Sequence, residues 1–144
     1  MKRITIGEKK INLQYDFRET CFGICVKENK LYCTEKNNEI SLIGGGIEKN
    51  ESHEQCLKRE FLEESGCIIK SIKEFCIIDC FWITRNNKNM ESLVNIYIVE
   101  VEEKRVKPKE IGSSLKIIDL NQSIELLELP YHKKAITEYM NLNK

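Results

Sequence analysis

A chain of 144 residues, with 23 lysines and arginines against 23 aspartates and glutamates, can bury one core and is too short for two comfortable domains. The balanced charge leaves no global basic field to hold a nucleic-acid polymer, whereas small anions stay within reach of local charge. Seven cysteines, an odd number with no C-x-x-C pair and no secretory leader, suit neither a disulfide framework nor a zinc module, and read as reduced, buried small hydrophobes.

The first ten residues, MKRITIGEKK, lack a signal-peptide core, and no window approaches about 18 uninterrupted apolar residues. A cytoplasmic protein with no membrane partner is expected. Residues 21–26 and 30–34 are apolar-rich strands joined by Glu28-Asn29, which predicts a hairpin at the centre of a sheet. Residues 41–44 form a short run leading into Gly44-Gly45-Gly46, where backbone without side chains can approach a ligand and aim a carbonyl or N–H at it.

Residues 52–65 predict a helix. Ser52 is its N-cap, Gln55 three residues later fits a capping box, Leu57, Phe61 and Leu62 supply the apolar face, and Gly66 closes it. Residues 68–82 are strand-like with an interruption near Lys73-Glu74, and residues 85–89 are a polar loop. Residues 92–101 are apolar on both sides, as an internal strand would be, so Asn95 needs a partner. The run KRVKPK at 104–109, flanked by acids, reads as a solvated loop. Residues 115–118 predict a short strand, Asn121 caps a short helix through Leu127, and Pro130 starts a last helix to about Met140. With two prolines, no repeat and no linker, the expectation is one domain over residues 1–144, an α/β/α sandwich around a central mixed sheet.

On the helix, Glu60, Glu63 and Glu64 fall within roughly one 100° arc beside the Leu57 and Phe61 face. Like charges so placed repel, and partial burial makes them costlier. A divalent cation would reverse the sign, and oxygen ligands without histidine or cysteine partners favour Mg²⁺, with Mn²⁺ as a substitute. A solvated, glutamate-rich helix is the competing reading; the glycines and the upstream Glu51 weigh against it.

Together, residues 45–67, GGIEKNESHEQCLKREFLEESGC, resemble the Nudix box, G-x5-E-x7-R-E-U-x-E-E-x-G-U, with U a bulky aliphatic. Gly45, Glu51, Arg59, Glu60, Glu63, Glu64 and Gly66 match, and Phe61 and Cys67 stand at the U positions. The chain departs from the pattern before the box, with Ile43 where a proline is common and Asn50 where a glycine is. Asparagine tolerates left-handed backbone well.

The resemblance implies a divalent-metal-dependent hydrolase of phosphoanhydride bonds, with the fold given above. It implies Glu60, Glu63, Glu64 and the Gly44 carbonyl as metal ligands, and an Arg59–Glu51 ion pair that orients helix and loop. It also implies a downstream acidic residue, for which Glu110 is the nearest candidate and Glu100 and Glu102 are alternatives. One of Glu63, Glu64 or Glu110 would accept a proton from water. The implied substrate is a small-molecule nucleoside diphosphate linked to a group X, foremost a nucleoside triphosphate (an oxidised one included) as in MutT-like pyrophosphatases. ADP-ribose, nucleotide sugars and dinucleoside polyphosphates are the alternatives, and a regulatory domain that binds nucleotide without turnover is a reading of another class. Family members are often dimers, so a homodimer is compatible, although no apolar stripe demands one.

Selectivity has to lie outside the box. Phe81 and Trp82 end a strand and could stack on a nucleobase, with core packing as the competing reading. Arg18, near Tyr15 and Phe17, could meet a phosphate or base, with an exposed charge as the alternative. His53 and His132 lack metal-ligand partners at useful spacing and read as surface histidines.

Overall fold

The computed structural model describes residues 1–142; Asn143 and Lys144, the end of the expected 1–144 domain, lie outside the described residues. Its elements are β1 (Lys2–Ile6), β2 (Asp16–Ile24), β3 (Val26–Lys27), β4 (Lys30–Lys36), β5 (Glu39–Gly46), α1 (His53–Ser65), β6 (Cys67–Ile83), β7 (Asn89–Arg105), β8 (Ser114–Asp119), a 3₁₀ turn (Leu120–Gln122), α2 (Ser123–Leu126) and α3 (Pro130–Leu142). Among the described residues the strands form one eight-stranded sheet in the order β1-β6-β7-β2-β5-β4-β3, with β8 on β4. β1 with β6 and β2 with β7 run parallel and the other pairs antiparallel, so the sheet is mixed, as expected.

Strand periodicity sorts the core into two layers. Successive side chains point to opposite faces, so neighbours Cys21 and Phe22 on β2 enter different clusters. Cys21 joins Ile43, Val99 and the α1 residues Cys56, Leu57 and Phe61. Phe22 joins Leu42, Val94, Ile96 and the α3 residues Tyr131, Ala135 and Ile136. One helix therefore covers each face. All seven cysteines are buried and none is in a disulfide.

Local signals explain most element ends. Ser52 Oγ accepts from Gln55 N–H and the Gln55 side chain accepts from Ser52 N–H, the reciprocal capping box. The Glu28-Asn29 turn has positive φ at both residues (52° and 62°), which the tight hairpin requires. Asn50 takes φ 65°, the left-handed conformation anticipated for it.

Several expectations need correction. β1 carried no recognised signal, and β2 starts at Asp16 rather than at Cys21. β6 is continuous through Lys73-Glu74; the irregularity there is a register shift between Glu74 and Cys76 against β7, with two more nearer its start, between Cys67 and Ile69 and between Ile69 and Ser71. Lys104 and Arg105 belong to β7, which draws the start of KRVKPK into the sheet. Asp119, not Asn121, caps the turn before α2, its Oδ1 accepting from Asn121 N–H at 2.9 Å. His132 is not a surface residue: it is fully buried, and its Nδ1 accepts the Leu42 N–H at 3.3 Å. Burial holds the imidazole neutral, its pKa pushed down to about 3.

Candidate active site

The site is assembled where β5 ends in glycines and α1 lies across it. Glu60, on the α1 face that meets β5, packs so closely that a Cβ built on Gly45 would stand 2.8 Å from its Oε1. Only glycine at 45 lets the carboxylate lie against the strand. One turn on, Glu64 reaches the same strand, its Oε1 accepting the Gly44 N–H at 2.9 Å. Cys56 fills the space below, with Sγ 3.7 Å from the Gly45 carbonyl and 3.6 Å from that of Gly46. A larger side chain there would lift the helix off the loop.

Arg59 ties loop to helix. Its Nε donates to Glu51 Oε2 at 2.6 Å and its Nη2 to Glu51 Oε1 at 2.9 Å, while Nη2 also donates to the Gly46 carbonyl at 3.0 Å. This fork holds the Glu51 carboxyl far below its usual range, at about 2, and raises the guanidinium further. Nη1 extends to Glu60 Oε1 at 2.8 Å and Glu63 Oε2 at 3.3 Å. The expected Arg59–Glu51 pair is thus present and bidentate.

Glu110 arrives on the segment between β7 and β8. That segment is pinned to the C-terminal end of α1 by two backbone bonds, Val106 N–H to the Gly66 carbonyl at 2.9 Å and Glu110 N–H to the Glu63 carbonyl at 2.8 Å. Gly66 has φ 74° as the helix cap, and a Cβ on it would strike the Val106 carbonyl, so the last glycine of the motif both ends the helix and seats this strap. Glu110 Oε1 accepts from Lys36 Nζ at 3.0 Å, and its Oε2 is buried with no hydrogen-bond partner.

Four glutamates, 60, 63, 64 and 110, therefore share one electrostatic neighbourhood. Burial pushes Glu64 up to about 8, with the charges of Glu60 and Glu110 adding to it and the Gly44 N–H opposing. Glu60 is also raised, by burial first, against the pull of Arg59. As the side chains stand, no three His, Cys, Asp or Glu among the described residues converge to hold an ion; Arg59 Nη1 lies between Glu60 and Glu63. The donor set nevertheless fits a hard divalent cation: it is all oxygen, mutually repelling, and includes the unpartnered Glu110 Oε2.

The proposed substrate residues are placed elsewhere. The Arg18 guanidinium lies over Gly46, with Nη2 3.2 Å from where a Cβ would be, on the face of β5 opposite to Glu60. Phe81 packs edge-on against Tyr15 at 5.7 Å, and Trp82 Nε1 donates to Ser92 Oγ at 2.9 Å while its ring rests on the α3-side core. Both line a cleft of about 100 Å³ with Glu8, Leu13 and Asn89, and Glu60, Glu63, Glu64 and Glu110 are not among its lining residues. Of the alternatives to Glu110, Glu100 is an exposed acceptor for Ser71. His53 joins α1 to the sheet, its Nδ1 2.6 Å from Tyr97 Oη and its Nε2 3.5 Å from Glu19, which together with the Thr20 carbonyl also satisfies Asn95. Sequence reasoning missed Lys36, which no motif spacing marks, and Glu48, whose carboxylate is 3.6 Å from Arg59 Nη1.

A glycine-ended strand, a carboxylate helix locked to it by an Arg–Glu fork, and a glutamate strap within a three-layer α/β fold define a recognisable structural class. The sequence profile described as the NUDIX domain matches residues 19–139, and the chain belongs to that family. Among solved structures it is similar to a NUDIX hydrolase from Nitrosomonas europaea, at 17% identity over 90% of this chain and 92% of that one, with a TM-score of 0.75. A MutT mutator protein from Bacillus halodurans shows 19% identity over 83% and 80% of the two chains, with a TM-score of 0.69. A MutT NUDIX hydrolase from Burkholderia pseudomallei shows 18% over 85% and 98%, with a TM-score of 0.66. These likenesses establish the shared fold. No curated protein matches the chain significantly.

Proposed function

We propose that the protein hydrolyses a nucleoside diphosphate linked to X, most directly a nucleoside triphosphate, releasing a nucleoside monophosphate and pyrophosphate. The observation that supports this reading above others is the set of four glutamates around Gly44 and Gly45, steered by the Arg59–Glu51 fork, with Glu110 Oε2 buried and unpartnered. An acidic helix kept only for solubility has no use for such a fork or for a buried unpaired carboxylate oxygen.

Glu60, Glu63, Glu64 and the Gly44 carbonyl would hold Mg²⁺, or Mn²⁺ in its place, with Glu110 beside them. Such an ion polarises phosphate oxygens and lowers the pKa of water towards neutrality. The protein's own groups supply the rest. Arg59 and Glu51 fix the angle between α1 and the glycine strand, and the Gly44 N–H fixes Glu64. One of Glu63, Glu64 or Glu110 takes the proton of the attacking water, and Glu110 Oε2 has no hydrogen bond to lose in doing so. Arg18, over Gly46, contacts the substrate from the other face of β5, and the Phe81 and Trp82 cleft offers a stacking surface for a base.

The chain is read as acting as one domain over residues 1–144, in the cytoplasm, with a homodimer compatible. No helix among the described residues is long and apolar enough to cross a membrane. The test is product identification by ion-exchange chromatography after incubation of a nucleotide panel with Mg²⁺ or Mn²⁺. Nucleoside monophosphate plus pyrophosphate is the expected pair; intact nucleotides across the panel, with folded protein, would argue for binding without turnover.

A further inference from the structure

Lys36 is the last residue of β4 and immediately precedes Asn37-Asn38, whose positive φ values of 53° and 64° reverse the chain in two residues. The reversal places the lysine against the Glu110 strap, with Nζ 3.0 Å from Glu110 Oε1. Its charge is also felt at Glu64, where it favours the ionised carboxylate. Around the four glutamates, the other cation in direct contact among the described residues is Arg59, which is committed to Glu51 and the Gly46 carbonyl.

An ammonium carries three N–H donors, and among the described residues Lys36 uses one of them, toward Glu110. Its side chain is 48% exposed and that of Glu110 36%. Such a half-exposed pair contributes little to stability, too little to explain the lysine as a strut and little enough to be exchanged for a better anion. A phosphate oxygen beside neutralised carboxylates is a better anion, and lysine meets phosphate as a mobile point charge.

We propose that Lys36 is a substrate-contact residue, which leaves Glu110 for a phosphate oxygen of the substrate once the glutamates hold their cation. This rests on the hydrolase reading above. It assigns the end of β4 the task of supplying positive charge to the site, and it frees Glu110 Oε1 for the ion or for the attacking water.

The probe is methylenediphosphonate, a non-hydrolysable diphosphate without base or sugar, titrated calorimetrically with Mg²⁺ into the wild type, Lys36→Met, Lys36→Arg and Glu110→Gln. Binding at least about tenfold weaker in Lys36→Met, the loss of one charge-assisted hydrogen bond, is expected, with most affinity retained in Lys36→Arg. Mg²⁺ titrated alone into each protein is the control, since Glu110 belongs to the proposed ion site and its variant perturbs the ion as well as the pair. Lys36→Met binding the probe as tightly as wild type would overturn the assignment while leaving the hydrolase reading standing, as would a weakening fully accounted for by weaker binding of Mg²⁺ alone. A wild type that binds neither the probe nor any nucleotide would overturn both.

Discussion

The Glu51 carboxylate receives two donors of the Arg59 guanidinium, Nε at 2.6 Å and Nη2 at 2.9 Å, across the join between the glycine loop and α1. Both side chains are largely buried, with 11% of Glu51 and 22% of Arg59 exposed. Removing either partner leaves a charge in a poorly solvated place. Arg59→Met and Glu51→Gln are each expected to lower stability by about 3 kcal/mol in urea unfolding and to depress turnover, whereas Arg59→Lys, which cannot form the fork, restores little of either.

The two glycines at the ends of the motif should fail differently. In Gly45→Ala the new methyl meets a side-chain carboxylate, that of Glu60, which can swing away; the fold survives, the melting temperature moves by a few degrees, and activity falls by at least about tenfold because Glu60 is displaced. In Gly66→Ala the methyl meets the Val106 carbonyl and a left-handed backbone at once, so the cost is to stability, about 1–3 kcal/mol. Thermal unfolding beside a turnover assay separates the two.

Metal and pH should act on the same carboxylates. Burial raises the Glu64 carboxyl to about 8, from an ordinary value of 4.5. Its folded pKa lies above its unfolded one, so its contribution to stability is full below about pH 4.5 and is lost as pH rises through 8. Without metal, the melting temperature is expected to decline between pH 6 and 8.5, and Glu64→Gln should flatten the decline. Mg²⁺ should raise the melting temperature more at pH 8 than at pH 6, since it binds the ionised site. An equal rise at both values would contradict this picture.

His132 has the opposite sign. Its folded pKa of about 3 lies below the ordinary 6.5, so the stability it permits is complete above pH 6.5 and drains away as pH falls towards 3. His132 alone supplies a slope of about 1.4 kcal/mol per pH unit in that window, which urea unfolding isolates in a Glu64→Gln background, where the opposing Glu64 slope is absent. Glu51, held at about 2, adds its own loss below about pH 4.5. His132→Gln, which can still accept the Leu42 N–H, should remove the loss between pH 6.5 and 4.5 and make the limb below pH 4.5 shallower, leaving there the part that Glu51 supplies.

The box was legible because its constraints are local. A cap at Ser52, a stop at Gly66 and carboxylates on one helical arc need no knowledge of distant residues, and each is found where spacing put it. β1 was not legible, because KRITI is too short and too charged to stand out and owes its place to parallel pairing with β6, some seventy residues away. The burial of His132 follows from the Leu42 N–H, a long-range requirement that polarity alone misrepresents. Glu110 was reachable only as the nearest acid; what positions it is a pair of backbone bonds to the end of α1. For Phe81 and Trp82 the sequence offered stacking or packing as alternatives, and their contacts with Tyr15 and Ser92 depend on partners that no local spacing marks.

The central claim is that the α1 carboxylates carry hydrolysis of a phosphoanhydride. Its most direct test is phosphate and pyrophosphate release from a nucleotide panel with Mg²⁺, comparing the wild type with Glu63→Gln plus Glu64→Gln. The account expects turnover by the wild type, a loss of at least about a thousandfold in the double variant, and retained folding because glutamine keeps the acceptor for the Gly44 N–H. Turnover that survives in the double variant would contradict it.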